Sequence, residues 1–214
     1  MPINLATQQH IAIIDSLASH GYAVLPQFIS EARTNLLSTQ AKWLQHSGFL
    51  HPANTGKHTQ LNATSRGDAT YWVNEDSENF AELYYFEVMK ALQHQLNKAL
   101  FLGLHTLESH FAIYPTGAFY KKHVDQFKND ALKSDGLRQV SCILYLNEHW
   151  LADDGGELRL YLDEQDLSQT LDIAPLGGTL VAFMSARFHH EVLPAKRERI
   201  SLTGWFKTRS NDLF

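Results

Sequence analysis

Residues 114–125 read Y-P-T-G-A-F-Y-K-K-H-V-D, in which a proline and a glycine separate two runs of strand-forming residues. The reading is strand, turn, strand. His123 and Asp125 stand one residue apart, and on extended backbone such side chains emerge on the same face, where an imidazole and a carboxylate can meet one metal ion. Downstream, F-H-H-E-V-L-P at 188–194 can supply a third ligand. Two histidines and one carboxylate on one face of an octahedral ion leave three positions open on ferrous iron. An isolated H-x-D means little in a chain with 12 histidines and 23 acidic residues; its company decides. A glycine turn precedes it, and Y-L-N, G-G-E-L and R-I-S-L-T-G-W follow.

Working outward, strand candidates with turn signals between them occupy Thr106–Tyr114, Phe119–Val124, Arg138–Leu146, Leu158–Leu162, Leu171–Ala174, Thr179–Met184, His189–Leu193 and Arg199–Phe206. Their even spacing without intervening helices predicts an antiparallel sandwich or small barrel. Upstream, a helix is expected from about Thr7, its cap, to His20, with Ile11, Ile14, Leu17 and Ala18 sharing a face and Gly21 closing it. Tyr22–Leu25 reads as a strand. Ser30 and Glu31 open a second helix ending near Ser47, with Leu36, Leu37, Ala41 and Leu44 along one side. Residues 49–68 show no periodic pattern, and a loop of that length implies a lid, a binding role or disorder. R-G-D-A-T-Y-W-V at 66–73 then enters a strand. A long amphipathic helix is expected over Glu78–Leu100, with Phe80, Leu83, Phe86, Val88, Leu92 and Leu96 available for burial.

The 214 residues fit one domain with a full-sized core. A net charge of −5 argues against general affinity for nucleic acid or an anionic membrane surface, because such binding rests on clustered Lys and Arg. The single cysteine, Cys142, lies in the apolar run V-S-C-I-L-Y-L and reads as a small core residue, and no intramolecular disulfide can form. The start lacks a basic segment leading into an apolar one, and no apolar run reaches spanning length, so a cytoplasmic chain acting as a monomer is expected.

Over most of its length the chain resembles the iron(II)- and 2-oxoglutarate-dependent dioxygenases, and within them the prolyl 4-hydroxylase-like branch that includes the oxygen-sensing prolyl hydroxylases. The resemblance lies in H-G-Y-A-V-L-P at 20–26, R-G-D-A-T-Y-W at 66–72, Y-P-T-G-A-F-Y-K-K-H-V-D, R-Q-V-S-C-I-L-Y-L-N-E-H-W at 138–150, D-D-G-G-E-L at 153–158 and H-E-V-L-P-A-K-R-E-R-I-S-L-T-G-W at 190–205. It implies an α+β fold, a double-stranded β-helix (jelly-roll or cupin-like barrel) braced by N-terminal helices. Residues 1–214 would be one domain, 1–103 giving helical support with a substrate loop at 49–68 and 104–214 the jelly-roll core. His123, Asp125 and His190 become the iron ligands. His189 competes on spacing alone, and the match to H-E-V favours His190. Arg199 falls where the family grips the far carboxylate of 2-oxoglutarate, a task suited to a rigid, permanently charged fork; nearby Arg197 is the competitor. Tyr145 matches a tyrosine donating to that carboxylate and Tyr114 one that lines the pocket, while Ser201 shares the face of Arg199, as do Thr203 and Trp205. Arg66, Asp68 and Trp72 belong to the substrate loop, the first two as an ion pair at its base. Gly155 and Gly156 read as turn residues.

The cofactors implied are Fe(II), with 2-oxoglutarate and O2 as cosubstrates and ascorbate as reductant. The implied reaction couples decarboxylation of 2-oxoglutarate to succinate with hydroxylation of a proline in a protein, a translation factor such as elongation factor Tu being the leading substrate. A hydroxylase of free amino acids or small molecules, a non-catalytic metal-binding sensor and a zinc hydrolase stay open as alternatives. Nucleic-acid demethylation is disfavoured by the acidic charge balance.

Overall fold

The computed structural model describes residues 5–53, 65–126, 136–163 and 165–209. In chain order the elements are α1 (Leu5–His20), β1 (Tyr22–Leu25), α2 (Glu31–His46), β2 (His51–Pro52), β3 (Ala69–Val73), α3 (Phe80–Leu100), β4 (Leu104–Tyr114), β5 (Tyr120–His123), β6 (Arg138–Tyr145), β7 (Leu158–Tyr161), β8 (Thr170–Ile173), β9 (Leu180–Met184), β10 (His190–Val192) and β11 (Arg199–Thr208). The strands form two antiparallel sheets, ordered β1-β9-β6-β11-β4-β3-β2 and β5-β10-β7-β8. This is the expected jelly roll, and all eight strands expected after residue 103 are present, shifted by two residues at most.

Strand β6 shows how one sequence serves two cores. Val140, Cys142 and Leu144 pack with the helices, while Ile143 and Tyr145, on the other face, pack between the sheets. Because both faces are covered, the strand's second half, residues 142–145, reads as a continuous apolar run instead of an alternation. The helical layer also holds Ile13, Leu17, Leu37, Ala41, Tyr85, Met89, Leu92 and Leu96 against the larger sheet. Cys142 is 1% exposed, as a core residue should be.

Some local expectations are corrected. Thr7 does not cap α1, which is already helical at Leu5. That helix buries Ile13 and Leu17; Ile11 and Ala18 point outward, because the I-A-I-I run can present either of two stripes and the sheet takes the one containing Ile13. Phe80 and Leu83 of α3 are exposed, and Ala81, Tyr85 and Met89 take the buried stripe with Phe86. Phe80 instead lies beneath the Arg33 guanidinium, 5.6 Å from its ring centre. Within the patternless 49–68 stretch, His51 and Pro52 pair with β3, and the Ala53 amide donates to the Asp68 carbonyl (3.0 Å). Residues 54–64 of the expected substrate loop lie outside the described residues. Ser30 and Gly21 hold their expected places, the glycine with φ +82° at the end of α1. Among the described residues no helix is long and apolar enough to cross a membrane.

Candidate metal and cosubstrate site

Strands β5 and β10 of the smaller sheet pair with His123 directly opposite His190, which puts their rings 4.2 Å apart between centroids. Asp125 lies just beyond the end of β5, so the bend after the strand, and not an unbroken extended backbone, turns its carboxylate to the histidines. Its oxygens stand 3.7 Å from His123 Nε2 and 3.6 Å from His190 Nε2. One ligand atom from each residue falls within 4.8 Å of the others, and among the described residues this is the one such group able to hold a metal ion. His189, on the strand's other face, is outside the group.

The tautomers follow from the partners. His123 Nδ1 lies 2.8 Å from the Lys121 carbonyl and His190 Nδ1 lies 3.1 Å from the Phe188 carbonyl. A carbonyl only accepts, so each Nδ1 carries a proton, which leaves Nε2 as the nitrogen available to a metal ion. Burial holds the His123 imidazole down at about 3, helped by His190 and opposed by Asp125, which keeps it neutral and able to ligate. Burial pushes the Asp125 carboxyl up, yet the positive charge that His190 and His123 carry when protonated in the metal-free site, with the Ser141 hydroxyl, outweighs it and leaves the group below its ordinary range. Ser141 Oγ donates to Asp125 Oδ2 (2.7 Å); having spent its proton, it accepts from Ser185 Oγ (2.8 Å). A set of two imidazole nitrogens and one carboxylate suits ferrous iron with coordination positions to spare. Ser141→Ala is expected to weaken metal binding by about 10-fold, since partners that orient a ligating carboxylate are typically worth 10- to 100-fold; calorimetric titration with Mn(II) measures it.

On the larger sheet, β11 begins with Arg199, opposite Tyr114 on β4, and Ser201 lies opposite Tyr145 on β6. Arg199 is 1% exposed. Its Nε donates to the Gly156 carbonyl (2.9 Å), its guanidinium lies 5.0 and 5.2 Å from the Tyr145 and Tyr114 ring centres, and no carboxylate among the described residues is in ion-pair range. A buried, uncompensated cation is costly. Beside it the Tyr145 hydroxyl is buried, with no hydrogen-bond partner at full bonding geometry among the described residues, its pKa pushed up to about 12 by burial against the pull of the adjacent Arg199 guanidinium. An unpaired guanidinium, an orphaned hydroxyl and buried Ser201 fit the distal carboxylate of a small dianion such as 2-oxoglutarate. Arg197 is different: it sits at the surface, bonded to the Glu148 and His149 carbonyls and stacked on Trp150.

With this geometry in place, comparison with known proteins is informative. The family model described as the 2OG-Fe(II) oxygenase superfamily matches residues 109–207. The crystal structure of a Pseudomonas putida prolyl-4-hydroxylase is 39% identical, with a TM-score of 0.82, covering 94% of this chain and 100% of that one. The chain belongs to the 2OG-Fe(II) oxygenases. A Trichoplax adhaerens prolyl hydroxylase, solved with a peptide fragment of the hypoxia inducible factor oxygen degradation domain, is 26% identical with a TM-score of 0.81, over 94% of this chain and 89% of that one. Among curated proteins, the hypoxia-inducible factor prolyl hydroxylase of Caenorhabditis elegans is 30% identical over 92% of this chain, and human Egl nine homolog 1 is 28% identical over 91%. This oxygenase spans 28% and 45% of their lengths. Its family implies Fe(II), 2-oxoglutarate and O2, and the donor set and anion cradle of this oxygenase fit the first two.

The remaining sequence candidates lie on and just before β3. Arg66 and Asp68 form a forked ion pair (2.7 and 2.6 Å), and half-exposed Trp72 packs tilted against His110 and Trp205, with ring centroids 4.8 and 6.1 Å away. Sequence reasoning missed Ser141, Gly156, Tyr120 and His110. Gly156 had one available sign, the G-G pair: at φ +73°, an added Cβ would meet Ala195 Cβ at 2.9 Å and Arg199 Cδ at 3.3 Å. His110 is 4% exposed, and burial, with Arg66 and Arg138, holds its pKa down at about 3 against 6.5 when free. The folded pKa is the lower one, so below pH 6.5 the unfolded chain binds a proton the folded oxygenase refuses. Stability is therefore full above pH 6.5 and is lost progressively toward pH 3, by on the order of a few kcal/mol. Urea unfolding of the metal-free protein across this window is expected to show that loss, and His110→Met to reduce its slope.

Proposed function

We propose that this oxygenase is a protein prolyl 4-hydroxylase, with His123, Asp125 and His190 holding Fe(II) and Arg199, Tyr145 and Ser201 holding the far carboxylate of 2-oxoglutarate. The observation that carries the reading is the buried Arg199, without an acidic partner among the described residues, set beside the Tyr145 hydroxyl in a chain that also brings two histidines and one carboxylate together. A metal-holding sensor has no use for such an anchor. The names of the relatives support proline in a protein as the target. When bound, Fe(II) and 2-oxoglutarate supply an oxidant able to hydroxylate an unactivated C–H bond. The chain's residues do the rest. Nδ1–H bonds fix the two imidazoles, Ser141 fixes the carboxylate, Arg199 orients the cosubstrate through charge-assisted hydrogen bonds, and Tyr114 walls the pocket from water. Trp72, Trp205 and the Arg66–Asp68 pair frame the mouth through which a peptide would reach. On this reading the protein works as a single-domain monomer in the cytoplasm, where translation factors are found, and elongation factor Tu is the first substrate to try.

The test incubates purified protein with Fe(II), ascorbate and 2-oxoglutarate, alone, with free amino acids, with elongation factor Tu and with cell lysate. Succinate formation and a mass gain of about 16 on proline-containing peptides are followed, the gain being that of one inserted oxygen. Succinate stimulated by protein and mapped to a proline is expected. Stimulation by free amino acids alone would favour the small-molecule hydroxylase, and tight metal binding without any succinate the sensor.

A further inference from the structure

We infer that Tyr120 is a positioning residue for the metal ligand His123, held in turn by Arg66 and Asp68. The inference rests on the reading of His123 as a ligand. Residues three apart on a regular strand face opposite ways. Here the β5–β10 register shifts, two steps on β10 (His190 to Val192) answering three on β5 (His123 to Tyr120), and the extra residue brings Tyr120 onto the ligand's side. The Tyr120 and His123 rings stack at 3.7 Å between centroids with 18° between planes. The Arg66 guanidinium lies 4.4 Å from the Tyr120 ring centre, and its fork is fixed on Asp68, whose side chain is fully buried. Backbone bonds clamp the same place from either side: the Gly67 amide donates to the Phe119 carbonyl (3.0 Å), and the Lys121 amide donates to the Ser65 carbonyl (2.9 Å).

The chemistry asks for such a device. The single bond from His123 Nδ1 to the Lys121 carbonyl fixes one edge of the imidazole and leaves the ring free to rock about it. A flat partner stacked on the ring removes that freedom, so Nε2 stays aimed at the point that Asp125 and His190 also face. Simple core packing would explain Tyr120 equally well as a volume filler, and the two accounts part over metal affinity.

The experiment titrates full-length, EDTA-treated protein with Mn(II) by calorimetry and measures the urea midpoint of each metal-free variant. Tyr120→Ala and Tyr120→Leu are expected to weaken Mn(II) binding about 10- to 100-fold, the range for partners that orient a ligand. Tyr120→Phe keeps the stacked ring and is expected to bind as the wild type does. Arg66→Ala weakens binding too, and in combination with Tyr120→Ala adds nothing, since Arg66 acts on the ligand through the tyrosine. Wild-type affinity in a folded Tyr120→Leu protein overturns the inference, as does a Tyr120→Phe protein as weak as Tyr120→Ala. His123→Ala separates the layers: loss of Mn(II) binding there alongside normal binding in the Tyr120 variants sinks only the inference, whereas normal binding in His123→Ala sinks the ligand assignment and the inference with it.

Discussion

Arg199→Ala is expected to raise the KM for 2-oxoglutarate by roughly 30-fold to several thousand-fold, because removing one partner of a buried, hydrogen-bonded charge pair costs about 2–5 kcal/mol. The stability of the cosubstrate-free protein should move little, or rise. In that state the guanidinium is buried with no carboxylate in ion-pair range among the described residues, and its removal relieves a desolvation cost even as it forfeits the Gly156 hydrogen bond. Most core arginine truncations lose stability, so the pairing of lost affinity with retained stability identifies a residue kept for its ligand. Arg199→Lys should fall between wild type and alanine: the charge is retained, while the forked contact and the reach to the Gly156 carbonyl are not. The measurements are succinate formation against 2-oxoglutarate concentration and thermal unfolding without it. A KM within a few-fold of wild type for Arg199→Ala would refute the anchor.

The second large effect belongs to Asp125. Asp125→Ala removes the one anionic ligand and is expected to reduce Mn(II) affinity by more than the roughly 100-fold that bounds the effect of an orienting partner, abolishing succinate formation. It also leaves the Ser141 and Ser185 hydroxyls facing a hole they were arranged to fill with a carboxylate. Asp125→Asn keeps the shape and a carbonyl oxygen, so the fold should survive while the metal is still lost; calorimetry and circular dichroism separate the two. Retained affinity in Asp125→Asn would mean that the cation sits elsewhere.

The strands were legible because period-two patterning, turn residues and β-branched runs are local signals, and the grouping of His123, Asp125 and His190 was legible because its parts stand in short strings, H-x-D and H-E-V. What stayed hidden depends on register between distant segments. Ser141 touches Asp125 across 16 positions and Gly156 touches Arg199 across 43, so nothing near either residue reports the contact. Tyr120 needs the irregular pairing of β5 with β10, and sequence spacing alone puts it on the wrong side. The face of α1 was misjudged for a related reason: only the surface it meets chooses between two apolar stripes.

The first hundred residues are also part of the larger sheet, flanking it with β1 beyond β9 on one side and β3 and β2 beyond β4 on the other. A fragment cut at Gly103 to isolate the jelly roll would bare both flanks at once, leaving two rows of unsatisfied amide and carbonyl groups ready to template intermolecular pairing. Insoluble fibres are the natural fate of such a truncation, so the helices and their strands serve as guards against self-association as much as scaffolding.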